Sequence, residues 1–494
     1  MSHPMLIVSN RLPIQVGKDA EGGWQIRPGA GGLVTALRPI LKQYGGSWVG
    51  WPGDCGDAPV DELLGRLGGE LNCRFHGVEL SPELVEGFYY GFSNETLWPL
   101  FHDLLGHAKF DREKWLSYAK SNRIFAEVLH KAVRDDELVW VHDYQLILVG
   151  HYLREQGLRN KLAYFLHIPF PPPDIFARLP WRAEILRALL AYDLVGFQVQ
   201  RDLRNFTQCV RQFVREARTT VQRQIHVIDL PGRRVRAGAF PISIDFREFD
   251  SAARSKEVQD TAWYIHENFP EQQLALGVDR LDYTKGIAAK FLAFERALEK
   301  YPDLRGKISL IQLVVPSRQD IPEYAAWKEK LDALVGRING RFDYRGWAPL
   351  HYMYRSLSRM ELLGYYRASE ICLVTSLKDG MNLVAKEYCA ASVDDHGALI
   401  LSEFAGSAPQ MREGAIIVNP LDREATADAI YQAFHMSREE RRSRMRRLRR
   451  EVRRNDVFRW VRTFLDQVRA GEEPQAPTPV VSPIPPGAIP AASD

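Results

Sequence analysis

Seven short apolar runs punctuate this chain, and most of them end abruptly at a polar or charged cluster. The run at 5–8 enters Ser9, Asn10 and Arg11, and the run at 138–141 enters His142, Asp143 and Tyr144. Residues 162–166 end at His167, and residues 274–278 end at Asp279 and Arg280. The run at 308–315 is followed by Arg318, and that at 371–375 by Asp379 and Glu387. Residues 192–197 form the seventh run and end less distinctively. These runs read as buried strands, and the amphipathic segments between them give the alternation of a parallel α/β sheet. Ligands of such sheets bind just beyond the carboxyl ends of the strands. Polar side chains delivered there from both halves of the chain describe one cleft between two domains.

At 494 residues the chain is too long for one hydrophobic core, so two domains are expected. A net charge of +3 gives no general argument for nucleic acid. The five cysteines are scattered without a CxxC pair, which argues against a disulfide framework or a zinc site and fits a reducing cytoplasm. The start of the chain lacks a signal-peptide pattern, and no apolar stretch approaches the ~20 residues that span a bilayer. Neither a membrane nor a nucleic acid is expected as a partner. A seam at 240/241 divides a first domain, 1–240, from a second, 241–455. Residues 471–494 turn rich in Pro, Ala and Ser and are expected to be disordered.

The second half carries the sharper chemistry. Arg280 and Lys285 stand where a strand leads through a short loop into a helix. Two cations there can hold a diphosphate, Arg through a forked donor set and Lys as a point charge. Ordinary surface charge on a loop would look similar. Asp379, Gly380, Met381 and Asn382 form a turn before Leu383, Val384, Ala385, Lys386 and Glu387. A helix starting near Asn382 offers free N–H groups and a dipole to an anion. Glu387 can accept hydrogen bonds from ribose and Asp379 from a sugar, while Leu383, Val384 and Tyr388 argue against a merely solvated helix face. The glycine-rich turn holding Gly31 and Gly32 precedes an apolar helix, but it lacks the P-loop lysine and the dinucleotide-binding spacing. Nucleotide hydrolysis and dinucleotide binding both lose ground.

Several of these motifs together resemble trehalose-6-phosphate synthases. They are Ser9-Asn10-Arg11, Ala30-Gly31-Gly32-Leu33, Tyr89 with Phe92-Ser93-Asn94 and Leu97-Trp98-Pro99, His142-Asp143-Tyr144, and His167-Ile168-Pro169-Phe170-Pro171. Arg280-Leu281-Asp282-Tyr283-Thr284-Lys285-Gly286 and the block from Asp379 to Glu387 complete the match, which runs from about residue 5 to about 465. The resemblance implies an α/β, GT-B glycosyltransferase fold, with two Rossmann-like domains facing across a cleft. The first would bind the acceptor and the second the nucleotide sugar, with a last helix at 456–470 crossing back to the first. It implies retaining, metal-independent transfer of glucose from UDP-glucose to glucose 6-phosphate, giving α,α-trehalose 6-phosphate and UDP without a cofactor. A cytoplasmic homo-oligomer is expected.

Carried onto this sequence, the resemblance assigns Gly31, Gly32, Arg280 and Lys285 to the diphosphate and Asp379 to the glucose hydroxyls. Leu383, Val384, Ala385, Lys386 and Glu387 would surround UDP, and His167 would contact the transferred glucose. Arg11 and Arg318 would hold the acceptor phosphate, with Tyr89, Trp98 and Asp143 shaping the sugar pocket. His167, Asp143, Arg280 and Lys285 form the expected catalytic group. Trp98 also fits a core aromatic beside Pro99, Leu100 and Phe101, and His167 also fits a cap on its Pro-rich turn.

Trp181-Arg182 resembles glucosylglycerol-phosphate synthases, relatives that accept glycerol 3-phosphate, and so leaves that acceptor as the alternative. A catalytically silent regulator would be expected to lose donor residues, yet Arg280, Lys285, Asp379 and Glu387 are present. The arginine-rich stretch from Arg438 to Arg454 reads as an amphipathic helix, with a capping box of Ser437 and Glu440 and an apolar stripe of Met445, Leu448 and Val452.

Overall fold

The computed structural model describes residues 5–18, 24–28, 37, 45–53, 58–71, 73–317, 322–344 and 346–470. Gly31, Gly32, Arg318 and the tail at 471–494 lie outside the described residues. The chain divides into two compact units, Met1–Phe240 with Val461–Asp494, and Pro241–Trp460.

The first unit contains strands β1 (Met5–Arg11), β2 (Ile14–Lys18), β3 (Trp24–Pro28), β4 (Gly46–Trp51), β5 (Cys73–Gly77), β6 (Leu138–His142), β7 (Leu162–Phe165), β8 (Leu194–Phe197), β9 (Arg218–Gln222), β10 (Ile225–Leu230) and β11 (Arg233–Ala239). Nine of them form one sheet in the order β5-β4-β1-β6-β7-β8-β11-β10-β9, and β2 pairs with β3 in a separate two-stranded sheet. Pairing is parallel from β5 to β11, so each crossover returns the chain to the same edge. The antiparallel β9–β10–β11 extension departs from the parallel expectation. The basic stretch at 233–236 is a strand because its side chains find buried partners. Arg233 and Arg154 both donate to Asp193, whose carboxylate also accepts the Leu162 N–H at 2.8 Å.

Residues 461–470 close the core of this unit. Phe464 stacks on Trp140, with centroids 4.6 Å apart and planes 12° apart, and meets Phe165 and Phe240 edge-on. Arg236 donates to the backbone carbonyl and side chain of Gln467. Gly196 on β8 makes room for this packing: an added Cβ would stand 2.6 Å from Phe165 and 2.7 Å from Phe464.

The second unit has strands β12 (Gln273–Arg280), β13 (Ile308–Val315), β14 (Leu350–Tyr354), β15 (Ile371–Val374), β16 (Ala398–Ser402) and β17 (Ile416–Val418). They form an all-parallel sheet in the order β14-β13-β12-β15-β16-β17. Behind the end of β12 lies a buried polar trio. Lys290 donates to Asp279 at 2.6 Å and to Gln312 at 3.0 Å, and Gln312 donates to Asp279 at 3.0 Å. The arginine-rich segment is the helix Arg438–Arg454, whose Met445, Leu448 and Val452 are buried. Ser437 caps it by accepting from the Glu440 N–H at 3.2 Å. The reciprocal half of the expected capping box is replaced, because the Glu440 carboxylate turns to Arg444 at 2.8 Å. Arg441 and Arg449 are buried donors to backbone carbonyls, which is why part of this basic run is structural.

Gly196→Ala should overpack the aromatic seam and cost about 1–3 kcal/mol. A urea titration checks this: the midpoint should fall while the slope stays constant.

Candidate functional site

In the second unit the sequence places two polar loops after neighbouring strands, β12 and β15, and backbone contacts stitch them together. Asp282 caps the short turn Tyr283–Lys285, and Gly286 follows with φ +67°. That left-handed conformation suits glycine, and any Cβ would also stand 2.4 Å from the Thr375 carbonyl. The close approach lets the Leu377 N–H donate to the Thr284 carbonyl at 2.8 Å. Lys285 thereby reaches Asp379 across the two loops, with Nζ donating to Oδ2 at 2.6 Å. Ser376 and Asn382 donate to the same oxygen at 3.2 Å each. Asp379 is held from its other side, where the Gly406 N–H donates to its carbonyl at 3.1 Å.

Asn382, at φ +71°, is the N-cap of helix Leu383–Ala391 and accepts the Ala385 N–H at 3.2 Å. The N–H groups of Leu383 and Val384 belong to the first turn and have no intrahelical acceptor. Arg280 is exposed at the end of β12. Within one unit, then, an ammonium and a helix N-terminus meet at the Asp379 loop, and a guanidinium stands at the end of the neighbouring strand. Glu387 accepts the Tyr366 hydroxyl at Oε2, 2.9 Å away, and burial raises its carboxyl above the usual range. Lys386 points elsewhere: its buried amine donates to the Ile242 carbonyl at 2.7 Å and to Gln410 at 2.9 Å, and burial lowers its pKa to about 7. Its side chain is a structural strut, so any ligand contact from this position falls to its backbone.

The first unit gathers Tyr89, Trp98, Asp143 and His167 into one connected cluster. Glu86–Leu97 is a π-helix running into the short helix Trp98–Phe101. Such wide turns are rare and occur often at functional sites. Asn94 donates to the Tyr89 carbonyl at 2.7 Å and accepts the Tyr144 hydroxyl at 2.8 Å. The Trp98 ring lies 5.6 Å from that of Tyr144 and 4.2 Å from that of His102. At 5% exposure Trp98 is a core residue. Asp143 has φ +75°, a strained value for a non-glycine residue, and accepts the His167 N–H at 3.2 Å. His142 Nδ1 and His167 Nε2 are 3.0 Å apart. Burial pushes the His167 imidazole down to about 3 and His142 well below its ordinary value, so both rings are neutral.

Arg11 ends β1 beside Trp51 of β4, with its guanidinium 4.4 Å from the Trp51 ring centroid. The two line a cavity of about 920 Å³ with Val85, Glu86 and Tyr90. Trp51 went unremarked in the sequence because its run, 46–51, contains two glycines and lacks a polar terminus. Gln198 was missed for a related reason. It follows the strand that ended least distinctively, yet its amide lies 3.3 Å from His167 Nδ1. Trp181 stacks on Trp115 with centroids 5.3 Å apart, and Arg182 donates to the Leu179 carbonyl, so that pair serves packing. Among the described residues no group of three His, Cys, Asp or Glu side chains is arranged to hold a metal ion. Nor is any described helix long and apolar enough to cross a membrane.

Comparison with known proteins agrees with this architecture. The sequence profile of glycosyltransferase family 20 matches residues 3–470. A trehalose-6-phosphate synthase of Mycobacterium sp. (strain JLS) is 43% identical over 466 residues, covering 93% of this chain and 95% of the relative. The crystal structure of an α,α-trehalose-phosphate synthase (UDP-forming) from Burkholderia xenovorans, in complex with glucose-6-phosphate, superposes with a TM-score of 0.85. Its identity is 34%, and the match covers 94% of this chain and 100% of that one. An E. coli structure described as trehalose-6-phosphate bound with UDP-2-fluoro glucose gives a TM-score of 0.84 at 36% identity, covering 94% and 99% of the two chains. With its two Rossmann-like parallel-sheet units of GT-B type and a family match over nearly all of its length, the chain belongs to glycosyltransferase family 20.

Proposed function

We propose that this glycosyltransferase moves glucose from UDP-glucose to glucose 6-phosphate, releasing UDP and forming α,α-trehalose 6-phosphate with retention at the anomeric carbon. The observation that carries the reading is the Lys285–Asp379 pair at the start of helix Leu383–Ala391. A cation, a sugar-binding carboxylate and an anion-binding helix terminus are fixed together, as a sugar diphosphate demands. Arg280 and Lys285 hold the diphosphate, and Asp379 accepts hydrogen bonds from the glucose. Tyr366 holds one oxygen of Glu387 and so aims the carboxylate at the ribose. In the first unit Arg11 binds the acceptor phosphate bidentately, and Asp143 orients the acceptor sugar. Gly31, Gly32 and Arg318 keep the parts that the family resemblance gives them.

The bond from the anomeric carbon to the departing phosphate oxygen breaks as the acceptor hydroxyl attacks from the same face. That phosphate oxygen takes the hydroxyl proton, so no protein base and no glucosyl-enzyme is needed. Rate comes from fixing the reactants in near-attack geometry and from cations waiting where charge develops on UDP.

Arg280→Ala should lose about 2–4 kcal/mol of transition-state stabilisation, the scale of removing one preorganised donor. Steady-state kcat/KM on the folded variant measures it, and near-wild-type turnover would remove Arg280 from the clamp. Two cations and a helix terminus already compensate the diphosphate, so activity should survive exhaustive chelation of divalent ions. Loss with chelator and recovery with magnesium would refute that. Incubation with UDP-glucose and either glucose 6-phosphate or glycerol 3-phosphate, followed by mass and NMR analysis of the product, should show transfer to the sugar phosphate; preferential transfer to glycerol 3-phosphate would replace the proposed acceptor.

A further inference from the structure

We infer that His142 and Gln198 are positioning residues that lock His167 in a single neutral tautomer, with its proton on Nε2, making His167 a fixed contact and not a proton carrier. The argument starts from what each partner can do. An amide nitrogen donates and cannot accept, so the Gln198 Nε2, 3.3 Å from His167 Nδ1, requires a lone pair on Nδ1. A neutral imidazole with an acceptor at Nδ1 carries its hydrogen on Nε2. That hydrogen points at His142 Nδ1, 3.0 Å away, which must then be the acceptor. The direction of the whole chain, amide to imidazole to imidazole, follows from its first member.

The three residues sit at the ends of three adjacent parallel strands, β6, β7 and β8, so the sheet itself sets their spacing. His142 is fully buried and Gln198 is 1% exposed, so neither can swing away without opening the core. The dipeptide of His142 and Asp143 holds His167 twice, once through the ring and once through the backbone N–H on Asp143 Oδ1. A histidine that cycles a proton usually has a carboxylate or carbonyl at its second nitrogen to stabilise the imidazolium. Here the ring nitrogens meet an amide donor and a second imidazole, and a proton added at Nδ1 would face the Gln198 N–H. Desolvation of the ring also disfavours its charged form.

The consequence for catalysis rests on the reaction proposed above: the proton of the acceptor hydroxyl goes to the departing phosphate oxygen, and His167 takes no part in that transfer. The tautomer itself does not depend on that reading.

The test is long-range proton–nitrogen NMR on the full-length protein carrying ¹⁵N-labelled histidine, with His167 assigned through its loss in His167→Phe. Nδ1 should give a pyridine-type and Nε2 a pyrrole-type nitrogen, unchanged from about pH 5.5 to 8, the range in which a free histidine titrates. A protonated Nδ1, or both nitrogens moving to imidazolium positions in that range, overturns the inference. Gln198→Glu places an acceptor where the donor stands; it should invert the tautomer and lower kcat by about tenfold or more. Gln198→Leu removes the donor without opposing it and should lose less. A Leu variant impaired as badly as the Glu variant would mean that Gln198 only fills space, which also overturns the inference. Should the wild-type spectrum show the expected tautomer while no phosphorylated acceptor is glucosylated, the positioning stands and the reaction reading falls.

Discussion

Parallel pairing is the constraint on which the rest of this structure depends. A parallel strand can be followed by its neighbour only through a crossover, so the loops that leave the strands all emerge at one edge. In the first unit that edge receives Arg11, Asp143, His167 and Gln198 from β1, β6, β7 and β8. In the second it receives Arg280 and the Asp379 loop from β12 and β15. Both edges store backbone strain where the chemistry is concentrated. Asp143 and Asn382 are non-glycine residues at φ +75° and φ +71°, each at a loop that follows a strand. Such conformations cost on the order of 1–3 kcal/mol and persist when their surroundings over-determine them. Here the Asp143 N–H donates to the Phe165 carbonyl, and Asn382 caps a helix while donating to Asp379.

The two units use opposite electrostatic strategies. The second concentrates charge: Lys285 and Asp379 pair at 2.6 Å near an exposed Arg280, and a second pair, Lys290 and Asp279, is buried just behind. Removing one member of a buried pair leaves an uncompensated charge, so the Lys290–Asp279–Gln312 trio fixes the strand end from which Arg280 projects. Gly277 is needed there because a Cβ would stand 2.1 Å from the Gln312 side-chain oxygen. The cluster around His167 in the first unit relies on neutral rings and hydroxyls, with the Asp143 carboxylate among them. Desolvation keeps its histidines neutral, and its aromatic rings are tied by tyrosine hydroxyls to Asn94 and to the backbone. A charged leaving group and a neutral hydroxyl nucleophile call for those two environments.

Much of the candidate site could be read in the sequence, because a polar residue at the end of an apolar run has few alternatives in a parallel α/β sheet. The runs ending at Arg11, His142, His167 and Arg280 are β1, β6, β7 and β12. Strands with weaker patterns were not legible. β4 and β5 carry glycines and arginine, and the antiparallel β9–β11 ribbon is polar and rich in arginine; such segments become strands because a neighbour offers its edge and partners for their side chains. Lys386 shows the limit from the other side. Its place in a helix after the Asp379 turn suggested a ligand contact, but helix periodicity turned the amine inward, onto Ile242 and Gln410.

The chemistry on offer is written in the chain: two cations, a capped helix start and carboxylates after the strands of the second unit, and an arginine, an aspartate and histidines after those of the first. Those assignments are local, since they follow from a strand, the loop that leaves it and the helix that comes next. Which of these groups touch depends on how the strands are ordered and packed. Lys285 meets Asp379, 94 residues further along the sequence, because Gly286 lets their two loops approach within hydrogen-bonding distance. Gln198 faces His167 because β8 lies beside β7, an adjacency set by strand order and invisible in either run alone. Hydrogen-bond direction, burial and tautomer are properties of such pairs, and a pair does not exist until the sheet has brought its members together.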